Sequence, residues 1–246
     1  MNRPLRVVVV YPDLLGTYGD GGNGVVLARR AAWHGIPAEL IEAPNGAPLP
    51  SGDLYTLGGG EDGPQVQATE SLAADGTLAR AVDGGAVVFA VCAGYQIVGT
   101  TFPAADGSPV PGLGLLDVAT VKGGARRAVG EIVVDAELPG VGALTGFENH
   151  GGVTALGPGV RPLGTVRVGV GNGDHTDGAR SHRVVGTYLH GPALARNPAL
   201  ADLLLSWATG QDELAPLDDH REEALRAERL QAALRKRPWP GRRRQR

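Results

Sequence analysis

Cysteine is nearly absent from this chain, which has a single thiol, Cys92, in 246 residues. One cysteine excludes an intramolecular disulfide, as is typical of proteins from a reducing compartment. Long apolar runs are also lacking, since no segment approaches the roughly 18 residues that span a bilayer. Pro12 and Asp13 interrupt the N-terminal valine run too early for a signal peptide. We therefore expect a cytoplasmic protein with no transmembrane segment.

Basic residues are scarce in most of the chain and concentrated at its end. The last twelve residues, 235–246 (RKRPWPGRRRQR), carry seven of the 23 Lys and Arg residues, which leaves 16 basic residues against 26 acidic ones elsewhere. We predict one domain over 1–234 and a basic, disordered tail over 235–246. The alternative is that the tail contacts an anionic membrane surface, which would place the protein at the inner face of the membrane. The acidic body argues against a nucleic-acid partner.

Aromatic residues are few (4%), whereas glycine is abundant, with 39 residues between recurring apolar runs. Strands are predicted over 5–11, 38–41, 54–57 and 86–91, and helices over 25–35, 66–82 and 95–101. This order predicts an α/β fold with an open, mostly parallel sheet and helices on both faces. The second half is β-rich, with strand-like segments at 115–121, 129–134, 144–148, 164–170 and 183–189 that we expect to extend or edge the sheet. Helices over 198–209 and 219–235 end the domain.

The lone thiol lies in VVFAVCAGYQIVG, between a predicted buried strand and a predicted helix. An isolated free cysteine is usually a small buried hydrophobe. Here, however, the small residues Ala90 and Gly94 flank it at two positions on either side, which is the pattern of a nucleophile elbow. The helix N-terminus would favour the thiolate, and the N–H of Ala93 would be placed to bind an oxyanion. The Gly58–Gly60 loop, after another strand, could supply a second N–H donor.

A cysteine nucleophile needs a base, and His190 is the best-placed of the six histidines because it ends the strand VVGTYLH before Gly-Pro. The carboxyl edge of a parallel sheet is where such folds carry their chemistry. His150, in FENHGG, has a similar placement and is the rival. Either residue, taken alone, is more commonly structural than catalytic.

Six motifs in order, YPDLLGTYGDGGN, GGGEDGPQ, CAGYQ, GLGLLD, GFENHGG and GTYLHGP, give the chain a family resemblance. It resembles the class I glutamine amidotransferases of the cobyric-acid-synthase-like branch, and more closely the GatD-type glutaminase subunits of lipid II isoglutaminyl synthases. The resemblance implies Cys92 as nucleophile and His190 as general base. It further implies that Arg127, rather than Arg126, contacts glutamine together with Gln96.

The expected reaction is hydrolysis of L-glutamine through a thioester, with an oxyanion hole formed by the N–H groups of Gly59 and Ala93. No GxxxxGK[ST] loop is present in the sequence, so nothing here would activate a carboxylate with ATP. By resemblance, ammonia passes to a Mur-ligase-like subunit of the MurT type in a heterodimer. That partner would hold ATP and Mg²⁺, handle lipid II and amidate its D-glutamate. We expect no metal or cofactor in this chain.

The triad predicted from the sequence is incomplete. The His-x-Glu pair of many class I amidotransferases is missing, because Gly191 and Pro192 follow His190. An imidazole that acts as a base needs its second nitrogen held by another group. Since no acid in the chain has a suggestive spacing, the sequence predicts that the partner supplies this group.

Two other functions fit parts of the pattern. One is an amidase, or an amidotransferase subunit with a cobyrinate-type acceptor, built on the same elbow. The other is a non-catalytic α/β binding module in which Cys92 is buried. A nucleotide-binding Rossmann module is disfavoured, because no GxGxxG with a suitably placed acid follows the first strand.

Overall fold

The computed structural model describes residues 3–124 and 126–235. Its helices are α1 (Gly22–Trp33), α2 (Asp62–Asp75), α3 (Thr77–Asp83), α4 (Ala93–Val98), α5 (Ala193–Arg196), α6 (Pro198–Thr209) and α7 (His220–Arg235). Its strands are β1 (Leu5–Val10), β2 (Ala38–Ala43), β3 (Leu54–Leu57), β4 (Val87–Val91), β5 (Thr101–Pro103), β6 (Pro109–Pro111), β7 (Val118–Lys122), β8 (Ala128–Ala136), β9 (Ala143–His150), β10 (Gly152–Leu156), β11 (Gly164–Val168), β12 (Thr176–Asp177), β13 (Ala179–Ser181) and β14 (Val184–Thr187).

The main sheet has six strands in the order β13-β14-β4-β3-β1-β2. All its neighbouring pairs are parallel except the hairpin of β13 and β14. The strands are apolar on both faces because helices cover both: Val8 and Val10 of β1 pack into one buried cluster and Val7 into the other. The predicted open, mostly parallel α/β sheet is therefore confirmed.

The β-rich second half is also confirmed, but the expectation that its strands extend the main sheet is largely wrong. Only β13 and β14 join that sheet; the others form two further four-stranded sheets, β10-β7-β5-β6 and β12-β11-β8-β9. The predicted segments were too short to show the pairing, since the long hairpin of β8 and β9 depends on contacts that local pattern does not specify.

Two predicted helices needed correction at their ends. The segment predicted as one helix over 66–82 is two, α2 and α3, separated at Gly76, whose φ of 66° is left-handed. The helix predicted over 95–101 ends at Val98, and Thr101 already belongs to β5. The helix predicted over 198–209 is observed with those bounds as α6.

The basic tail predicted over 235–246 lies outside the described residues apart from Arg235, where α7 ends. Its disorder and its contact with a membrane stay predictions. Among the described helices, none is both long and apolar enough to cross a bilayer.

The parallel strands bring four loops to one edge of the sheet. The segments that follow β1, β3, β4 and β14 all leave its carboxyl edge and carry Asp20, Gly59, Cys92 and His190, respectively. Residues separated by up to 170 positions in the chain thus meet at one place.

Candidate active site

Cys92 occupies the predicted sharp turn between β4 and α4. Its φ of 53° and ψ of −104° are strained for a residue with a side chain. Small neighbours are required there: a Cβ on Gly94 would lie 2.7 Å from both the Cβ and the carbonyl oxygen of Leu57. The thiol is only partly buried and lines a cleft of about 310 Å³. This is the elbow geometry that the sequence predicted, with the thiol accessible rather than sealed in the core.

His190 lies next to this thiol, in the segment after β14. Its backbone is fixed by two hydrogen bonds with Phe147, which donates its N–H to the His190 carbonyl (3.1 Å) and accepts the His190 N–H (2.8 Å). The side chain is 1% exposed and lines the same cleft. Its Nε2 is buried and meets no hydrogen-bond geometry within residues 3–124 and 126–235, but the Cys92 thiol is close enough to influence the imidazole.

The second imidazole nitrogen is held by a carboxylate of this chain. Nδ1 of His190 lies 2.7 Å from Oδ2 of Asp20, and both side chains are buried. Because a carboxylate only accepts hydrogen bonds, Nδ1 carries the proton and donates it. The prediction that the orienting group comes from a partner is therefore wrong. Asp20 was overlooked because its loop precedes α1, far from His190 in sequence.

The surroundings of His190 favour its charged form. Burial lowers the pKa of the imidazole, but Asp20 and the Cys92 thiol outweigh burial and raise that pKa to about 10. At neutral pH the imidazole is then protonated, so that it can donate a hydrogen bond or a proton in the cleft.

The two N–H groups predicted to form the oxyanion hole, those of Gly59 and Ala93, differ in whether they already donate a hydrogen bond. The N–H of Gly59 donates to Oδ2 of Asp20 at 2.9 Å and is therefore used in holding the carboxylate, which contradicts its predicted role. Gly60, the next residue, lines the cleft, and neither its N–H nor that of Ala93 has an acceptor in the described part of the chain. Ala93 follows the thiol and opens α4 as predicted. The geometry thus offers the N–H groups of Ala93 and Gly60.

The two residues predicted to contact glutamine both line the cleft. Arg127 is exposed and donates from Nε and Nη2 to the side-chain and backbone oxygens of Asn149, at 3.1 and 3.2 Å. Its neighbour Arg126 does not line the cleft. Gln96 is mostly buried, accepts a hydrogen bond from Gln65 (2.9 Å) and donates one to Tyr188 (3.2 Å).

His150, the rival base, also lines the cleft, but its ring nitrogens face elsewhere. Nε2 lies 3.3 Å from Glu148 and Nδ1 lies 3.1 Å from the carbonyl oxygen of Gly152. It therefore has no free nitrogen for the thiol.

Tyr18 is a second residue that sequence reasoning missed. Its ring lies over the His190 ring, with centroids 4.8 Å apart, and its hydroxyl accepts a hydrogen bond from the Asn149 side chain. Both Tyr18 and Asp20 belong to the motif GTYGDGGN, and the one available signal was an acid in a glycine-rich loop after the first parallel strand.

A family model described as the CobB/CobQ-like glutamine amidotransferase domain matches residues 6–198, and this match covers all four loops of the site. The chain belongs to this family. It is accordingly an enzyme of the class that acts on glutamine, and the resemblance seen in its motifs is confirmed.

Two relatives are similar over most of their length, and both are called lipid II isoglutaminyl synthase (glutamine-hydrolyzing) subunit GatD. The one from Staphylococcus aureus is 36% identical, over 80% of this chain and 81% of its own. The one from Streptococcus pneumoniae is 32% identical, over 86% and 85%. A cobyric acid synthase from Pelotomaculum thermopropionicum is 38% identical, but only 34% of its length is matched.

Solved structures show the same fold at low identity. A crystal structure of a glutamine amidotransferase has a TM-score of 0.57 and 21% identity, covering 82% of this chain and 98% of that one. The structure of PurLQS from Thermotoga maritima gives a TM-score of 0.55 and 17% identity, covering 76% and 87%. The predicted glutamine-amidotransferase-like fold is thus confirmed.

Proposed function

We propose that this chain is the glutaminase subunit of a lipid II isoglutaminyl synthase. The observation that carries the proposal is the side-by-side placement of an accessible, strained Cys92 and a buried His190 whose other nitrogen is held by Asp20. The GatD relatives support the assignment to this synthase, because they match over 81% and 85% of their length.

The reaction begins with attack of the Cys92 thiolate on the side-chain amide carbon of L-glutamine. The negative charge that develops on the amide oxygen is met by the N–H groups of Ala93 and Gly60, each worth a large share of the barrier in such sites. His190, protonated on Nε2, donates that proton to the leaving nitrogen, and ammonia departs. Asp20 keeps the ring oriented throughout.

Water then attacks the thioester, with His190 accepting its proton, and glutamate is released. Arg127 and Gln96 both line the cleft. In this proposal Arg127 pairs with the α-carboxylate of glutamine, and Gln96 is a further contact of the substrate. The ammonia is used by a Mur-ligase-like subunit of the MurT type. That partner binds ATP and Mg²⁺, handles lipid II and amidates its D-glutamate at the cytoplasmic face of the membrane.

The test is Cys92→Ala in the complex of this chain with its ligase subunit. We expect the variant to lose glutamine-dependent amidation of lipid II and to retain amidation supported by added ammonium salts. A diazo-ketone analogue of glutamine should alkylate Cys92 rapidly in the unmodified chain. Equal loss of glutamine-dependent and ammonium-dependent amidation, or a Cys92 that the analogue does not alkylate, would contradict the proposal.

A cobyrinate-type acceptor is the second candidate, and the 38% identity to a cobyric acid synthase favours it. That match covers only 34% of the synthase, whereas the GatD relatives are matched over 81% and 85% of their length. Transfer of glutamine nitrogen to a cobyrinate, in place of lipid II, by the purified complex would decide for this alternative.

A further inference from the structure

His150 has an acceptor at each of its ring nitrogens. Nδ1 lies 3.1 Å from the carbonyl oxygen of Gly152, and Nε2 lies 3.3 Å from a carboxylate oxygen of Glu148. Both ring nitrogens are therefore engaged, and the ring is held at two points.

The Glu148 side chain faces donors at both oxygens. Oε1 accepts the N–H of Val170 at 2.8 Å, and Oε2 accepts the N–H of Gly171 at 3.0 Å in addition to facing His150. The side chains of Glu148 and His150 are 3% and 2% exposed, so their contact is buried. Leaving a buried polar group without a partner is costly, so each of these hydrogen bonds helps to keep the two side chains in place.

The face of the His150 ring is occupied as well. It stacks on Tyr188 with ring centroids 3.7 Å apart and planes 14° apart. The Tyr188 hydroxyl in turn contacts Thr154 at 2.7 Å and accepts from Gln96 at 3.2 Å. The imidazole of His150 thus packs against Tyr188, in the segment that leads to His190.

These contacts hold the tight turn from β9 into β10 in place. Residues 149–152, which comprise the end of β9, Gly151 and the start of β10, form one wall of the cleft. Within it, Asn149 accepts both hydrogen bonds of Arg127 and donates to the Tyr18 hydroxyl. At the other end of the same turn, the Gly152 carbonyl oxygen contacts Nδ1 of His150. Fixing His150 therefore fixes the support of Arg127.

We propose that His150 is a positioning residue for glutamine recognition: held between Glu148 and the Gly152 carbonyl, it sets the 149–152 turn so that Arg127 meets the carboxylate of the substrate. This inference rests on the proposed glutaminase function. His150 takes part in no chemical step, because both of its ring nitrogens are engaged. Glu148 is a positioning residue as well, since it holds His150.

The first test compares His150→Gln, Glu148→Gln and the double variant in glutamine hydrolysis. Each single variant should raise KM about 10-fold and leave kcat within about 3-fold, since a misplaced contact weakens binding while the thiol and its base are intact. The double variant should be about as impaired as either single variant, because the two residues act as one unit; effects that add up would mean that they act independently. His220→Gln is the matched control, as His220 also pairs with an acid, Asp218, but on the surface.

The second test separates recognition from reactivity with two electrophiles. Iodoacetamide needs no carboxylate contact and should label Cys92 at the same rate in all variants. The diazo-ketone analogue of glutamine should label the His150 and Glu148 variants about 10-fold more slowly. Equal labelling of parent and variants by the analogue overturns the role of His150 and leaves the proposed function standing. A parent Cys92 inert to both reagents overturns the proposed function instead.

Discussion

At the scale of single residues, the imidazole of the cleft is held by a carboxylate 170 positions away in the sequence. The Oδ2 of Asp20 is itself fixed by a hydrogen bond from the N–H of Gly59. Gly59, which the sequence suggested as an oxyanion donor, therefore orients Asp20, and Asp20 orients His190. Asp20, Gly59 and His190 therefore form one hydrogen-bonded unit behind the thiol.

Asp20→Asn should lower kcat for glutamine hydrolysis by roughly 10²- to 10³-fold. The amide can donate to Nδ1 and select the wrong tautomer, a change that costs about 10⁴-fold in a serine triad and less with a more acidic thiol. Steady-state kinetics give the value. The exposed Asp13→Asn, in the same loop, is the control and should leave kcat unchanged; equal rates for both variants would remove Asp20 from the mechanism.

The same contact predicts how stability depends on pH. The pKa of His190 is raised from 6.5 to about 10, so the folded state binds this proton more tightly than the unfolded chain. Its contribution is fully present below pH 6.5 and is lost as the pH rises through about 10. Urea unfolding over this range should show stability falling in the parent and a flatter dependence in Asp20→Asn.

Gly59→Ala should reduce activity on the order of 10²-fold, because a Cβ there would lie 2.6 Å from Cε1 of His190 and displace the ring. Gly63→Ala is the matched control, since a Cβ at that position in α2 meets nothing within 4 Å. The comparison is made by kcat together with iodoacetamide labelling of Cys92. Equal activity of the two variants would mean that the ring tolerates the added methyl group.

At the scale of secondary-structure elements, glycine decides where segments end. The break between α2 and α3 lies at Gly76, whose left-handed backbone caps the first helix through its N–H to the Leu72 carbonyl. Apolar periodicity continues across this point, which is why one long helix was predicted. Gly76 was visible in the sequence, but a single glycine within a helical pattern is often tolerated and so does not by itself predict the end of a helix.

Gly76→Ala should lower the free energy of unfolding by about 1–2 kcal/mol, the cost of a left-handed conformation for a residue with a Cβ. Gly76→Asn should cost less, because asparagine adopts this region more readily. Chemical denaturation measures both. Since Gly76 is outside the cleft, kcat should stay unchanged; a stability equal to that of the parent for Gly76→Ala would contradict the left-handed assignment.

At the scale of the whole molecule, a buried guanidinium joins the two ends of the described chain. Arg30 of α1 is 2% exposed and donates to Asp202 of α6 and to Asp219, just before α7, at 2.6–2.8 Å. These hydrogen bonds and charges raise the pKa of Arg30 despite its burial. Burial acts to raise the pKa of Asp202, but Arg30 and His34 outweigh it and lower that pKa.

Arg30→Met should destabilise the fold by about 3–5 kcal/mol at neutral pH, because two carboxylates lose their partner. Since the pKa of Asp202 is depressed in the folded state, the stability from this pair is present above the unfolded pKa and is lost as the pH falls through the folded one. The difference in free energy of unfolding between Arg30→Met and the parent should therefore become smaller in acid. Arg29→Met, one position away, is the control in the urea titration. A difference that stays constant at all pH values would contradict this account.

Several features of this protein were determined by its sequence alone. Apolar runs ending in small residues specified the parallel strands, the elbow at Cys92 and the strand that leads to His190, because burial on both faces and crowding at a tight turn leave a local signature. Motif order was enough to identify the family.

Only the tertiary structure decided how those parts meet. The pairing of His190 with Asp20, the use of the Gly59 N–H, and the division of the second half into separate sheets depend on contacts between distant residues. Local pattern carries no information on which loop lies beside which, since side-chain periodicity fixes the face of a strand but not its neighbour. The acid that completes the site was therefore visible in the sequence and assignable only once the strands had brought its loop to the imidazole.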